Sequence, residues 1–215
     1  ELQAVNEVIG LTTTAATLQD SFDRMAGKLI QVLDMDLVTV SRLNSSAKQL
    51  AIVAERDSLG PVNNRIGEFE KLRNMPAKEQ VIKTQKSILI EDMSNNDLLG
   101  VESKHLIETG ASAILVLPLL GLSGVLGTVT LTLFGEERTF SEDQVRLAET
   151  IVYQTSTVIE NKQLLAETHA RALREQKVRT ITDKIRSGGS REEIISIAKK
   201  EIATLIETSR QQKQS

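Results

Sequence analysis

The stretch ILVLPLLGLSGVLGTVTLTLFGEERTFSEDQVRLAETIVYQ, residues 114–154, predicts a strand, a turn, a second strand and a helix in succession. Residues 113–120 and 125–134 are apolar on both alternating faces, which is typical of central strands that are covered on both sides. Gly121 and Gly124 bound the short segment between them and indicate a tight turn. The stretch therefore predicts an antiparallel hairpin in the middle of a sheet.

The helix after this hairpin has a well-specified start. Ser141 and Gln144 have the spacing of a capping box, in which each side chain pairs with the backbone N–H of the other residue. Phe140 precedes the cap and can pack against Val145 as a hydrophobic staple. Further along, apolar residues recur mostly at intervals of seven. This repeat predicts a helix that packs on the sheet and continues outward as a coiled coil.

The segments before residue 114 predict the remaining elements of a fold that contains both helices and strands. Thr17 and Asp20 resemble a second capping box and open a helix with one apolar face. The β-branched segments 37–41 and 50–54 are separated by polar turn residues and predict another antiparallel hairpin. Short elements then follow: a helix over 76–84, a strand over 87–91 and a weaker helix over 101–108.

Composition limits the chemistry available to the chain. Its 215 residues carry a formal net charge of −3 and contain no cysteine. The absence of thiols excludes disulfides, thiolate nucleophiles, thioether-linked chromophores and cysteine metal sites. No apolar run reaches the roughly 18 to 20 residues of a membrane span, and Glu1 does not open a signal peptide. We therefore expect a cytoplasmic protein without membrane contact.

Two broad classes of function find no support in the sequence. Aromatic residues make up 2% of the chain, too few to stack on single-stranded nucleic acid, and no helix carries a concentrated basic face. There is also no Ser/His/Asp set, metal-ligand cluster or phosphate-binding glycine loop. The sequence therefore predicts no catalytic residues, no metal, no cofactor and no nucleic-acid partner.

The C-terminal region resembles the start of the chain. Thr17 and Asp20 correspond in order to Ser190 and Glu193, so that a hydroxyl again precedes a carboxylate at capping-box spacing. Any two pairs of amphipathic helices can be aligned to some degree, but the coincident caps favour a tandem repeat. The predicted organisation is a linker helix at 1–16, a domain at 17–166, and a helical connector with the truncated start of a second copy at 167–215.

Three segments resemble the GAF domain family: SILIEDM at 87–93, ILVLPLLGLSGVLGTVTLTL at 114–133 and RTFSEDQVRLAETIVYQTSTVIENKQLL at 138–165. The resemblance implies an α+β fold with a central antiparallel sheet and a C-terminal helical extension. It places the terminal helices on one face of the sheet. The short helices at Pro76 and Val101 would roof a pocket on the other face.

The same resemblance bears on function. It implies a sensory or regulatory module that forms a homodimer through its flanking helices and passes a signal to an output domain elsewhere in the full-length protein. Some GAF proteins reduce methionine sulfoxide and others attach bilin chromophores, but both activities depend on cysteine, which this chain lacks. The residue signature of the cyclic-nucleotide-binding members is not found either. A cyclic nucleotide therefore stays open as a ligand without support from the sequence, and the small-molecule ligand is unidentified.

Residues near the expected pocket are candidates for ligand binding. Apolar side chains there could line a cavity, because small-molecule sites are mostly apolar with a few polar anchors, or they could fill it. Arg56, Arg65, Lys71 and Arg73 could hold a phosphate or carboxylate. The interleaved acidic residues favour a solvated loop of mixed charge; they are Glu55, Asp57, Glu68 and Glu70. The candidate ligand-binding residues are Arg56, Phe69, Met75, Ile90, Asp92, Leu99, His105 and Ile107.

Two of these candidates have competing interpretations. His105 lies on a predicted roof helix and could ligate a haem iron, but a single ligand without a supporting motif favours a surface or hydrogen-bonded histidine. Asp92 ends a predicted strand and could accept a ligand donor or a proton. An aspartate in that place more often caps the following turn.

Two functions therefore remain in view. The first is a non-enzymatic sensor that binds a small molecule between the sheet and the roof helices and transmits its state through the flanking helices. Binding must favour one of two states for such a signal to exist. The alternative is a structural module that dimerises and transmits without any ligand. An enzyme with a non-thiol active site is the least supported interpretation.

Overall fold

A computed structural model describes residues 17–62, 65–94, 97–135 and 138–187, together with the isolated positions Asn6 and Gly10. Nearly all of the predicted linker helix at 1–16 and the whole of the repeated cap at Ser190 lie outside these residues. Two compact units divide the chain, Glu1–Gln163 and Leu164–Ser215.

The first unit is an α+β fold. Its helices and strands occur in the following order: α1 (Leu18–Leu33), β1 (Leu37–Asn44), β2 (Gln49–Asp57), β3 (Gly60–Pro61), β4 (Phe69–Lys71), α2 (Pro76–Thr84), β5 (Ile88–Ile90), α3 (Ser103–Glu108), β6 (Ala111–Gly121), β7 (Gly124–Phe134) and α4 (Glu142–Ser187). Short 3-10 helices at Leu72–Asn74 and Asp97–Glu102 precede α2 and α3. The final helix, α4, extends into the second unit.

The strands form one antiparallel sheet with the order β3-β2-β1-β7-β6-β5, and β4 pairs with β2 beside this path. β7 lies between β1 and β6, and β6 lies between β7 and β5. The predicted central hairpin is therefore confirmed. Its turn contains Gly124, whose φ of 129° is a backbone conformation that favours glycine.

Two separate cores cover the two faces of the sheet. On one face, Leu29 of α1 and Ile151 of α4 pack with Leu131 of β7. On the other face, Val81 of α2 packs with Ile114 of β6 in a smaller apolar cluster. We call α2 and the segment 97–108 the roof, and the sheet face beneath it the roof face. The predicted sandwich, with terminal helices on one side and short helices on the other, is confirmed.

One expectation about the central strands is wrong. β7 is not apolar on both faces, because its side chains alternate in chemistry as well as direction. Val129 and Leu131 join the core under α1 and α4, whereas Thr130 and Thr132 line a cavity on the roof face. This alternation gives the middle of the roof face a polar surface.

Both predicted capping boxes mark the start of a helix. The Thr17 hydroxyl oxygen accepts the Asp20 N–H at 3.0 Å. The Ser141 N–H donates to the Gln144 side chain at 3.0 Å, and the Gln144 N–H donates to the Ser141 hydroxyl at 3.2 Å. The Gln144 side-chain amide also donates to the Leu33 carbonyl at 3.0 Å. This last bond fixes the start of α4 against the end of α1.

Across the described ranges, no helix is both long enough and apolar enough to cross a membrane.

Candidate functional site

A cavity of about 40 Å³ lies between the roof and the roof face. Its floor includes Thr39, Thr130 and Thr132 from the two central strands β1 and β7, and Leu99 and Leu106 close it from above. A cavity of this size holds a few waters at most. It is far smaller than the roughly 300 to 1,000 Å³ of sites for drug-sized ligands. The pocket therefore lies where it was predicted but is nearly closed in this conformation.

An ionic cluster lies beside this cavity, and part of it lines one wall. We use that name for Glu55, Arg65, Glu70, Lys78 and Glu102. Glu70 is bound most closely, because its carboxylate accepts from Arg65 at 2.7 Å and from Lys78 at 2.9 Å. The Glu102 carboxylate lies 3.2 Å from the Lys78 ammonium and 3.7 Å from the Arg65 guanidinium. Glu55 lies 3.6 Å from the Arg65 guanidinium.

Local backbone structure brings these charges together. In the β2–β4 pairing Glu70 lies opposite Leu50, and in the β1–β2 pairing Glu55 lies opposite Thr39, whose hydroxyl donates to its carboxylate at 3.0 Å. Pro76 opens α2, since its missing N–H costs nothing in the first turn, and this start places Lys78 at the same wall. Sheet register and helix start therefore position charges from separate elements.

The segment that carries Glu102 is held close to the start of α2 by a glycine. Gly100 has a φ of 57°, and a Cβ at this position would lie 2.3 Å from the Asn74 carbonyl oxygen and 2.5 Å from the Pro76 ring. A side chain is thus excluded by both conformation and contact. The roof can approach the ionic cluster only because this position is glycine.

The inner part of the cluster is removed from water, whereas 32% of the Arg65 side chain and 25% of the Glu102 side chain are exposed. Lys78 is 3% exposed and Glu70 is 7% exposed, so each requires an opposite charge to offset desolvation. Burial lowers the pKa of Arg65, but the neighbouring Glu70, Glu55 and Glu102 more than offset this effect and raise the pKa above its ordinary value. Arg65 therefore remains a cation.

The charges are not equally accessible from the cavity. Arg65, Lys78 and Glu102 line it, whereas Glu55 and Glu70 are not among its lining residues. The cavity is therefore faced by two cations and one carboxylate, although carboxylates outnumber cations in the cluster as a whole. Glu102 is also the more exposed of the carboxylates around Lys78, with 25% of its side chain accessible against 6% for Glu70.

Three of the predicted ligand-binding residues, Met75, Ile90 and Leu99, line the cavity. Three others lie at the surface: Phe69 is 65% exposed, Ile107 is 50% exposed, and His105 is also exposed. The three-residue strand β4 turns Glu70 inward, so its neighbour Phe69 faces outward. On α3, Leu106 faces the cavity, whereas its neighbours His105 and Ile107 do not.

The remaining two predicted site residues lie elsewhere. Arg56 follows Glu55 on β2 and faces the opposite side of the sheet, where its guanidinium approaches Gly27 of α1. Asp92 is exposed and accepts the Ser94 N–H at 2.9 Å and the Ser94 hydroxyl at 2.6 Å. These bonds lower the pKa of Asp92, the hydroxyl bond first. Asp92 thus caps a turn, as the sequence favoured.

Most of the polar part of the site was not predicted from the sequence. The expected solvated loop of mixed charge is wrong for Glu55 and Glu70, which are 3% and 7% exposed. The period-two threonines of β7, Thr130 and Thr132, were a visible signal of a polar roof face. For Lys78 there was no local signal, because its partners lie on other elements.

The structure also links the cavity floor to α4. β6 and β7 contribute Ile114 and Thr130 to the cavity, and their connecting turn is held by Glu160 of α4. The Glu160 carboxylate accepts the backbone N–H groups of Leu122 and Ser123 and the Ser123 hydroxyl. A displacement of the β6–β7 hairpin would therefore be transmitted to α4.

Among the residues that the structure describes, no group of three or more His, Asp or Glu side chains is placed to hold a metal ion.

Comparison with known proteins relates the fold to solved structures. A family model described as GAF domain matches residues 15–160. The GAF domain of an Acinetobacter phosphoenolpyruvate-protein phosphotransferase is 16% identical, with a TM-score of 0.64, and the match covers 77% of this chain and 96% of that one. The phycocyanobilin-bound GAF domain of a cyanobacterial phytochrome is also 16% identical, with a TM-score of 0.63 and coverage of 76% and 95%.

A longer match extends over nearly the whole chain. The photosensory core module of the Stigmatella aurantiaca phytochrome is 12% identical, with a TM-score of 0.70, and the match covers 96% of this chain but 44% of that one. This chain therefore spans less than half of that module. A search of curated proteins found no match. At these identities the structural matches describe a shared fold.

Proposed function

This chain belongs to the GAF domain family, and from that premise we propose that it is a non-catalytic sensor that binds a small molecule in the cavity under the roof. As a GAF domain it is a sensory or regulatory module. The proposal adds the location of the ligand and the route of the signal. The structural change caused by ligand binding would be transmitted from the floor strands to α4, and from α4 to an output domain elsewhere in the full-length protein.

The ionic cluster beside the cavity is the observation that carries the proposal. Buried ion pairs are weak contributors to stability, because desolvation cancels much of the attraction between the charges. An apolar wall would stabilise the fold at least as well. Charged and hydroxyl groups that converge on a cavity are what a small-molecule site requires for orientation and specificity. The phycocyanobilin-bound GAF domain, as its name states, holds a small molecule on a similar fold.

The size of the cavity implies that the roof moves when a ligand enters. At about 40 Å³, the present space does not admit a metabolite of ordinary size. The part of the roof at 97–108 consists of a 3-10 segment, Asp97–Glu102, and the six-residue helix α3. Short elements of this kind have few internal hydrogen bonds and open at low free-energy cost. A ligand that binds the open form would shift the population toward it.

The Glu160 contacts provide the route for transmission. Because β6 and β7 form part of the floor and Glu160 holds their turn, a change under the roof can alter the position of α4. We further propose a homodimer through the flanking helices, where Leu165 is 62% exposed on α4. A cytoplasmic location completes the proposal and is an expectation from the sequence.

Filling the cavity tests the proposal. Ala77 lines it from α2, and Ala77→Val adds two methyl groups that occupy most of the space. The protein and this variant would be screened by thermal shift against a panel of small metabolites. We expect a compound that raises the melting temperature of the wild type and has a much smaller effect on Ala77→Val.

The control variant is Gln80→Val on the exposed face of α2. It introduces the same β-branched residue into the same helix, so it separates helix propensity from cavity filling. It should respond to the ligand like the wild type. A panel without any response, or a response that Ala77→Val leaves unchanged, would count against a ligand under the roof.

The small cavity also supports the alternative, a structural module that dimerises and transmits without a ligand. In that case α4 carries the function. Leu165→Asp would then abolish self-association measured by light scattering, and no metabolite would alter stability. A protein that stays monomeric at high concentration would contradict this alternative.

A further inference from the structure

Glu70 and Glu102 each contact both cations of the ionic cluster, and Glu102 is the less firmly held of the two. Its carboxylate lies 3.2 Å and 3.7 Å from the Lys78 and Arg65 nitrogens, whereas Glu70 lies 2.9 Å and 2.7 Å from the same two groups. Charge-assisted hydrogen bonds of 2.7 to 2.9 Å are about the optimal length. Glu102 is also the carboxylate of this group that the roof carries, since it ends the 3-10 segment before α3.

The charges that face the cavity favour an anion. Lys78 and Arg65 line it with Glu102, while Glu55 and Glu70 do not. Without Glu102, the cavity wall would present two cations together with the threonine hydroxyls of the floor. This is a suitable environment for a carboxylate or phosphate group, because a guanidinium and an ammonium can each donate to its oxygens.

We infer that Glu102 acts as an internal competitor, and that the ligand carries an anionic group that takes its place between Lys78 and Arg65. This inference rests on the proposed function, because it assigns a chemical class to the ligand of the same cavity. The exchange replaces one carboxylate by another anion, so the negative charge next to Lys78 and Arg65 stays the same. Its electrostatic cost is therefore small.

The exchange also explains how a ligand could open the roof. Glu102 is already partly exposed, with 25% of its side chain accessible, so turning it to solvent restores its hydration. Its release removes the charged contact between the 97–108 segment and α2. An anionic ligand would thus bind the open state in preference to the closed one, as a state-selective signal requires.

Chemical rescue tests this assignment. Formate is a carboxylate small enough for the present cavity, and Glu102→Ala vacates the position that it should occupy. Thermal shift would be recorded against sodium formate, with sodium chloride at equal ionic strength and formamide as controls for charge and shape. We expect the apparent Kd for formate to be at least about tenfold lower in Glu102→Ala than in the wild type, because a tethered competitor acts at millimolar or higher effective concentration.

Glu108→Ala is the matched control. Glu108 lies on α3, its side chain is 62% exposed, and it forms an ion pair with Lys104 at 3.7 Å. Its removal deletes a roof carboxylate that does not face the cavity, so the response to formate should equal that of the wild type. A second measurement locates the anion: the backbone amide resonances of Thr130 and Thr132 should shift with formate and not with chloride.

The outcomes separate the inference from the proposed function. Equal effects of formate and chloride on all variants would overturn the anion assignment, and so would stabilisation of Glu102→Ala by methylammonium instead of formate. If either occurs while a metabolite still loses its effect in Ala77→Val, the cavity remains a ligand site of another chemistry. If neither formate nor any metabolite acts at the cavity, the proposed function fails as well.

Discussion

Glu160→Gln tests the link between the β6–β7 turn and α4. Glu160 is 2% exposed, and its carboxylate accepts the Ser123 N–H at 2.9 Å as well as the Leu122 N–H and the Ser123 hydroxyl. A Cβ at Gly121 would lie 2.6 Å from this carboxylate, so helix and turn are in close contact. Glutamine keeps the side-chain length but has one acceptor oxygen and directs an NH₂ group toward the donors of the turn.

The expected loss follows from these three bonds. A hydrogen bond to a charged group contributes about 1.5 to 3 kcal/mol. The turn itself is accessible, with Leu122 81% exposed, so water replaces part of what the variant removes. We therefore expect the free energy of unfolding to fall by about 2 kcal/mol, well below the sum of the three bonds. For a chain of this size, that loss lowers the melting temperature by about 4 to 8 °C.

The loss should depend on pH. The hydrogen bond from the Ser123 hydroxyl lowers the pKa of Glu160. The backbone N–H groups of the turn lower it further, and burial acts in the opposite direction without cancelling these effects. The folded protein then binds this proton less readily than the unfolded chain does. The carboxylate therefore stabilises the fold above the unfolded pKa of about 4.3, and this stabilisation disappears as the pH falls through the lower folded pKa.

Urea denaturation at several pH values measures both effects. The difference between wild type and Glu160→Gln should be constant near neutral pH and shrink below about pH 4.3. Glu175→Gln is the control on the same helix, because its exposed pair with Arg171 should contribute no more than about 0.5 kcal/mol. A Glu160→Gln loss as small as that of the control, or one that does not change with pH, would show that the Glu160 carboxylate does not hold the turn.

Other substitutions test the roof and the helix cap, each by urea denaturation. Gly100→Ala should destabilise the fold by about 2 to 4 kcal/mol, because it adds a steric clash at 2.3 Å to the cost of a positive φ. Its control is Gly110→Ala, where φ is 76° and a Cβ would have no neighbour within 4 Å. The control should cost about 1 to 2 kcal/mol. Lys78→Met should cost about 3 kcal/mol, because it removes one of the two cations that hold the buried Glu70 and leaves Arg65 as its partner. The exposed Lys83→Met should cost at most about 0.5 kcal/mol. Ser141→Ala should cost about 1 kcal/mol through loss of the α4 cap. Roof variants that unfold no more readily than their controls would contradict the packing described.

Features set by neighbouring residues in the sequence were predicted well. The Ser141 and Gln144 capping box and the Thr17 cap form as expected, because each depends on residues one turn apart. The central hairpin was predicted for a similar reason, since its apolar strands flank a glycine turn. Where structure depends on local chemistry, the sequence was sufficient.

Features set by strand register were not predicted. Phe69 was expected at the pocket, but the pairing of Glu70 with Leu50 turns the acidic residue inward, and a shift by one residue exchanges the faces of a strand. The ionic cluster has the same origin, because Lys78 and Glu102 are 24 residues apart and meet only when α2 and the 3-10 segment are both in place. No local pattern marks such a pair.

A crystal structure of the wild-type protein in sodium formate, at the concentration where thermal shift approaches saturation, would show directly what the cavity binds. We expect an anion under the roof, within hydrogen-bond distance of Lys78 and Arg65, with Glu102 turned toward solvent. A cavity that contains water alone, with Glu102 still on both cations, would mean that no anion displaces Glu102.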